Sequence, residues 1–365
     1  MMPALTDIRI VEFAGIGPGP FAGMMLADHG AEVIRIERPR ETFPPHSLSR
    51  NRRSIALNLK ASDGVDLARR LCATADGLIE GFRPGVMERL GLGPGELLED
   101  NPKLVYGRMT GWGQDGPLAQ APGHDINYIA VAGVLDGIGR PGEPPVAPVN
   151  YVGDFGGGGM LLAFGMVSAL LAVRMGAPGQ VVDAAMTEGA GLLAAMSWGF
   201  RSAGLWRDGP GANLLSGAAP FYRCYACADG RSVAVGAIEP HFYRALAEGL
   251  GVDPAGQMDV GRWPDRIAQF AAIFAGRPRD DWVAHFDPDA CVSPVLTPGE
   301  ALEHPHNRAR AAFVGEAPAP APRFSATPAD EPRAAVAGEA TGAVLAELGI
   351  GADEVESLRA RGVIG

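Results

Sequence analysis

Asp7-Ile-Arg-Ile-Val-Glu-Phe-Ala14, Gly15-Ile-Gly-Pro-Gly-Pro20, Phe21-Ala-Gly-Met-Met-Leu-Ala-Asp-His29 and Gly30-Ala-Glu-Val-Ile-Arg-Ile-Glu37 decide the fold. The first and last segments are short apolar runs rich in Ile and Val, the signature of buried strands. Between them lie a tight glycine–proline loop and a helical stretch. Two strands joined through a helix form a βαβ unit, and such a unit demands a parallel sheet. The alternation continues outward. A helix fits Ser62–Thr74, a strand Gly77–Glu80, a helix from Arg83-Pro84 to Leu90, and a strand Leu104–Met109. Residues 1–112 therefore predict a Rossmann-like α/β half.

Residues 111–153 are dense in Gly and Pro and read as a long loop, a length that usually serves function. A long apolar helix is expected to start at Asp154, followed by a strand at Gln180–Ala185 and one helix over 186–204. Strands at Phe221–Cys227 and Ser232–Ile238, with helices over 240–250, 263–275 and 279–286, predict a small α+β lobe. Residues 340–362 read as helical and are expected to return to the main body. The resulting division is a large domain of residues 1–200 and 330–365, a small domain of 220–315, and linkers at 201–219 and 316–329. The fold class is α/β, a Rossmann-like parallel-sheet domain plus a small α+β domain.

The glycine loop imitates a dinucleotide fingerprint, with Gly15, Gly17, Gly19 and Gly23 before a strand that ends in Glu37. Two features count against a dinucleotide. Pro18 and Pro20 remove N–H donors that a pyrophosphate would use, and Arg38 follows Glu37 at once. The loop reads either as the seat of another phosphate-bearing ligand or as a tight turn that lets the helix pack closely.

The chain has 365 residues, of which 47% are apolar and 20% charged, and a net charge of −11. That balance supports a sizeable core and argues against a nucleic-acid partner, whose footprint is basic. Only Lys60 and Lys103 are lysines among 31 basic residues. Codon bias in a GC-rich genome explains this, and arginines that grip phosphate explain it too. The distribution is uneven. Residues 1–108 carry 14 basic residues, whereas 109–200 carry two against seven acids. Four cysteines are too few for a disulfide scaffold. Cys224-Tyr-Ala-Cys227 lacks the second pair that a zinc site needs, so it reads as structural, with redox or metal use as the alternative. Residues 155–173 are uncharged and nearly of membrane length, but Gly156–Gly159 and the nearby acids favour a buried helix. No signal peptide precedes the first strand, so a cytoplasmic protein with no membrane partner is expected.

The cation-poor middle holds two candidate bases. His124, in Gly123-His-Asp-Ile-Asn-Tyr128, can exchange a proton near neutral pH; a structural or surface role is the alternative. Asp154, in Val152-Gly-Asp-Phe-Gly-Gly-Gly-Gly159, reads as a helix cap or as a carboxylate beside free helical N–H groups, with the glycines leaving the helix start open to a ligand. Glu239, in Ala237-Ile-Glu-Pro-His241, reads on its own as an ordinary acid between a strand end and a helix N-terminus.

Taken together, these segments resemble the class III CoA-transferase (CaiB/BaiF) superfamily, and within it the α-methylacyl-CoA racemase branch. The matching stretches are Val11–Pro20, Asn51-Arg-Arg53, Glu80–Gly91, Thr110–Pro117, Gly123–Tyr128, Gly153–Gly158, Val235–Pro240, Val344–Gly349 and Leu358–Ile364, which span nearly the whole chain. The resemblance implies an interlocked homodimer whose active site is shared between one subunit's large domain and the other's small domain. It implies that His124 and Asp154 transfer protons and that Glu239 orients the histidine across the dimer interface. Arg38 and Arg89 match positions that hold the CoA nucleotide. Ile16, Asp125, Tyr128 and Asn150 are further candidates for contacting the substrate.

The implied reaction is interconversion of (R)- and (S)-2-methylacyl-CoA thioesters in lipid metabolism. Inverting a stereocentre beside a carbonyl needs a base on each face of the α-carbon, and the intermediate is an enolate. The Asp154 amide is the expected oxyanion donor. A thioester acidifies its α-proton, so no metal or cofactor is expected, CoA being part of the substrate. The alternative is CoA transfer, in which the aspartate is a covalent nucleophile. Asp154 suits both reactions; His124 favours the racemase, because the transferases lack a histidine there.

Overall fold

The computed structural model describes residues 2–39 and 47–365, and these divide into two compact units. The larger unit comprises Met1–Gly133, Val149–Ala195 and Ala312–Gly365; the smaller comprises Val134–Pro148 and Met196–Ala311. The larger unit is built on a six-stranded sheet: β1 (Arg9–Phe13), β2 (Glu32–Glu37), β3 (Arg52–Ala56), β4 (Gly77–Glu80), β5 (Val105–Thr110) and β6 (Gln180–Ala185). All neighbours are parallel, in the order β3-β2-β1-β4-β5-β6. This is the doubly wound order with its reversal between β1 and β4.

Helices cover both faces, as a parallel sheet requires. Seven elements matter here: α1 (Pro18–Asp28), α2 (Ser62–Ala73), α3 (Val86–Arg89), α4 (Pro94–Asp100), α5 (Asp125–Val131), a π-helical segment Tyr151–Met160 that runs on as α6 (Leu161–Arg174), and α7 (Met186–Leu193). On one face Leu67 and Leu71 of α2 pack with Val11, Ile34 and Ile55 of the sheet. Val344, Leu345 and Leu358, from the C-terminal helices Thr341–Glu347 and Ala352–Ala360, join that core, so the terminal segment does return to the sheet. On the other face Leu26 of α1 and Leu162, Met166 and Leu170 of α6 pack with Ile10, Val33, Ile79 and Val105. Each large apolar side chain buried in this way contributes roughly 1.5–3 kcal/mol.

Several local expectations are revised. The strand β3 has no apolar pattern, because Arg52 and Arg53 open it. Arg52 is nonetheless fully buried, with Nε and Nη2 each donating at 3.0 Å to Glu12 Oε2. Arg35 also donates to Glu12. Arg35 also pairs with Glu37, so two guanidinium groups meet two carboxylates, which is how a charged strand can be buried. The proposed loop 111–153 contains α5, and the helix expected over 186–204 is two, Met186–Leu193 and Ala195–Ser202. The long helix begins at Tyr151, before Asp154, and its cap residue is Asn150.

The smaller unit holds an antiparallel sheet of β7 (Tyr222–Ala226), β8 (Ser232–Gly236) and β9 (Val292–Pro294) in that order. The helices Pro240–Leu250, Trp263–Phe274 and Arg279–His285 pack on it around Phe221, Tyr225, Phe270 and Trp282. Cys224 is exposed and Cys227 buried, as strand alternation dictates for residues three apart. Among the described residues no group of three His, Cys, Asp or Glu side chains could hold a metal ion.

Candidate active site

A cleft of ≈1540 Å³ opens at the carboxyl ends of β1, β4 and β5, within the larger unit. Position follows from topology: where the strand order reverses, the connections leave β1 and β4 in opposite directions and a crevice remains between them. The walls are the glycine loop after β1, the Gly81–Pro84 turn after β4, the Met109–Trp112 segment after β5, and His124, Asn150 and Asp154.

The two expected bases meet in this cleft. His124 caps the start of α5, where its backbone N–H donates to Asn127 Oδ1 at 3.1 Å, leaving its ring exposed. Asp154 lies on the π-helical segment, a wide helical geometry that is rare and often found at functional sites. Its carboxylate is half-buried, and Oδ2 accepts from Asn150 Nδ2 at 2.9 Å. Burial raises the Asp154 pKa. The Asn150 hydrogen bond opposes the rise, Asp125 adds to it, and His124 opposes it. Among the described residues no arginine figures among these influences.

The glycine loop approaches the same carboxylate. Gly17 has φ +69°, and a Cβ built there would lie 3.3 Å from Asp154 Oδ2. Conformation and space both favour glycine at this point. Ile16, at the tip of the loop, lines the cleft and is 79% exposed. Glu37 also lines the cleft, but it is engaged by Arg35 Nε at 2.8 Å and Ser54 Oγ at 2.6 Å.

Tyr128 lines the cleft and shapes the turn that carries His124. Its hydroxyl donates to the Gly123 carbonyl at 2.5 Å, and its ring meets Trp112 edge-on with centroids 4.8 Å apart. Arg38 lines the cleft. Arg89 is exposed on α3 and does not line it, although Val86 and Leu90 of the same turn do. Lys60, Arg83 and Arg359 also reach the wall, and none of them is a site candidate by sequence. Arg83 and Arg359 lie inside stretches that match the family, Glu80–Gly91 and Leu358–Ile364, whereas Lys60 stands out only as one of two lysines. Glu239 belongs to the smaller unit, where it is exposed and caps the helix Pro240–Leu250.

Two expectations about Asp154 are corrected. Its amide is not an open oxyanion donor: it donates to Asp125 Oδ2 at 2.7 Å, and the Gly153 amide donates to the same oxygen at 2.6 Å. Asp125 is accordingly buried and does not line the cleft. Nor do the four glycines hold the helix start open. A Cβ at Gly157 would lie 2.6 Å from the Ala190 amide nitrogen, and one at Gly159 2.8 Å from the Pro18 carbonyl. The run lets three helices cross closely.

A parallel doubly wound sheet with a histidine and a half-buried carboxylate in the crevice at its switch point is the setting of an enzyme acting on a small-molecule ligand held there. The sequence matches the model of CoA-transferase family III over residues 5–341, and the chain belongs to that family. It is 48% identical to alpha-methylacyl-CoA racemase of Mus musculus and 44% identical to that of Homo sapiens, each covering 99% of this chain and 97% of the relative. A crystal structure of a CAIB/BAIF family protein from Brucella suis superposes with a TM-score of 0.83 at 25% identity, covering 95% of this chain and all of that one.

Proposed function

We propose that the protein is an α-methylacyl-CoA racemase that interconverts (R)- and (S)-2-methylacyl-CoA thioesters by proton transfer between two bases. The observation that carries the reading is the pairing of His124 with the half-buried carboxylate of Asp154 in one cleft. One base removes the α-proton and the other returns a proton to the opposite face. For the reverse direction each starts in the opposite protonation state. Burial suits Asp154 to this work, because a raised pKa strengthens the carboxylate as a base and lets it hold a proton in turn.

The enolate oxygen needs donors other than the Asp154 amide. The first N–H groups of α5, at Asp125 and Ile126, have by position no carbonyl a turn back, and the helix dipole favours negative charge there. They adjoin His124, which fits a carbonyl oxygen lying beside the histidine. The thioester supplies the acidity of the α-carbon, so the proposed chemistry draws on no metal or cofactor. The Arg38 side of the cleft would take the CoA phosphates, with Arg89 on the neighbouring turn. In a homodimer Glu239 of a second copy would orient His124.

The test is an NMR measurement of α-proton exchange in a 2-methylacyl-CoA in deuterated buffer, with no acceptor acid present. Exchange accompanied by epimerisation is expected. CoA transfer that requires an acceptor acid, without exchange, would mark Asp154 as a transferase nucleophile and overturn the reading.

A further inference from the structure

His124 and Asp125 are adjacent but serve different surroundings. The imidazole faces the cleft, whereas the Asp125 carboxylate is buried. Asp125 Oδ2 takes both the Gly153 and the Asp154 amides, while Oδ1 is buried without a hydrogen-bond partner among the described residues. An unsatisfied buried carboxylate oxygen is costly. A surface-independent structural role would be met more cheaply by a neutral acceptor. Close approach is built in: a Cβ at Gly153 would lie 2.7 Å from Asp125 Oδ2 and 2.9 Å from its Cγ.

We infer that Asp125 is the positioning residue of the proton-transfer pair. Its carboxylate ties the Gly153–Asp154 backbone to the helix that carries His124, holding the two bases at a fixed separation across the cleft. The inference rests on the two-base reading above. The groups acting on Asp154 are Asp125 and His124 from α5 and Asn150 from its own helix. Tyr128 of α5 in turn feels the Asp154 charge. The remaining charged groups on elements packed against this segment are Asp28 of α1, Arg174 of α6, Glu188 of α7, and Arg108 and Asp183 of the sheet, and none figures among the influences on Asp154.

The experiment compares Asp125→Asn and Asp125→Ala with the unaltered enzyme in the exchange assay, across pH, with thermal unfolding to establish that each variant folds. Asp125→Asn keeps an acceptor oxygen and the shape but loses the charge; Asp125→Ala loses both. For Asp125→Ala we expect kcat to fall about 100-fold with KM within about twofold, as for a base displaced by an ångström or so. For Asp125→Asn we expect partial recovery of kcat and an acidic limb displaced to lower pH. Either an unchanged kcat in Asp125→Ala, or a pH profile in folded Asp125→Asn that coincides with the unaltered enzyme, would overturn the inference. If the unaltered enzyme itself shows no exchange, the two-base reading fails instead.

Discussion

His124 was legible because a histidine stands out in a stretch with two basic residues and seven acids, and Asp154 because a carboxylate before four glycines is unusual. What each touches was not legible. The Asp125 bond to the Asp154 amide joins residues 29 positions apart and exists only once two helices meet. Two predictions belong at this scale. His124→Ala should lower kcat by about 10²–10⁴-fold while CoA affinity, measured by calorimetry, stays near normal; surviving epimerisation would show that the histidine is not a base. Asp154→Asn keeps an oxygen for Asn150 but cannot ionise. Burial raises the Asp154 pKa, so between the ordinary value of about 3.9 and the raised one the native chain binds more protons than the unfolded chain. Stability therefore falls as pH rises through that window, and the ionised carboxylate costs stability at neutral pH. Asp154→Asn should abolish turnover yet raise Tm by about 1–2 °C at pH 7, the gain vanishing below that window. A lower Tm at pH 7 would contradict it.

Elements with one dominant period were read correctly. β1, β2, β4 and β5 fall where apolar runs predict strands, because a parallel strand buried on both faces leaves that mark; β6, at the sheet edge and largely exposed, also falls where a strand is expected, on the paired valines Val181 and Val182. β3 escaped because its burial depends on an ion pair with Glu12, forty residues earlier, and α5 because Gly and Pro around it masked a helix of only seven residues. The glycine run was misread for a related reason. Sequence shows that a side chain is missing but not what occupies its place. Here the occupant is a neighbouring backbone: a Cβ at Gly189 of α7 would lie 1.8 Å from the Gly157 carbonyl oxygen. Gly189→Ala should therefore push α7 away from the π-helical segment and destabilise the protein by about 1–3 kcal/mol in denaturant titration. Because Asp154 rides on that segment, kcat should fall as well. An alanine that leaves both stability and kcat unchanged would mean the crossing is loose.

For the whole molecule, the opening contrast between an arginine-bearing N-terminal third and a cation-poor middle acquires a location. The cleft wall collects Arg38, Lys60, Arg83 and Arg359, whereas among the described residues the groups that shift Asp154 are Asn150, Asp125 and His124, with burial the largest cause. A nearby guanidinium would favour the ionised carboxylate and weaken it as a base. The same middle region bears on assembly. One side of α6 is buried through Leu162, Ala163, Met166, Ala169 and Leu170. Along its other side Phe164, Val167, Leu171 and Met175 are exposed, and Met160 extends the stripe back into the π-helical segment. Their spacing of three to four residues gives one continuous apolar face, of the kind that marks an interface rather than an ordinary solvent surface. This supports the homodimer we propose, with a second copy as the occupant and its Glu239 completing the site. Light scattering should give twice the chain mass for the unaltered protein. The double variant Phe164→Glu with Leu171→Glu should give the single-chain mass, because four carboxylates would be buried against apolar partners in the pair. If the site is shared, that monomer should keep its secondary structure by circular dichroism but lose exchange activity. A fully active monomer would place every required group in one chain and remove Glu239 of a second copy from the mechanism.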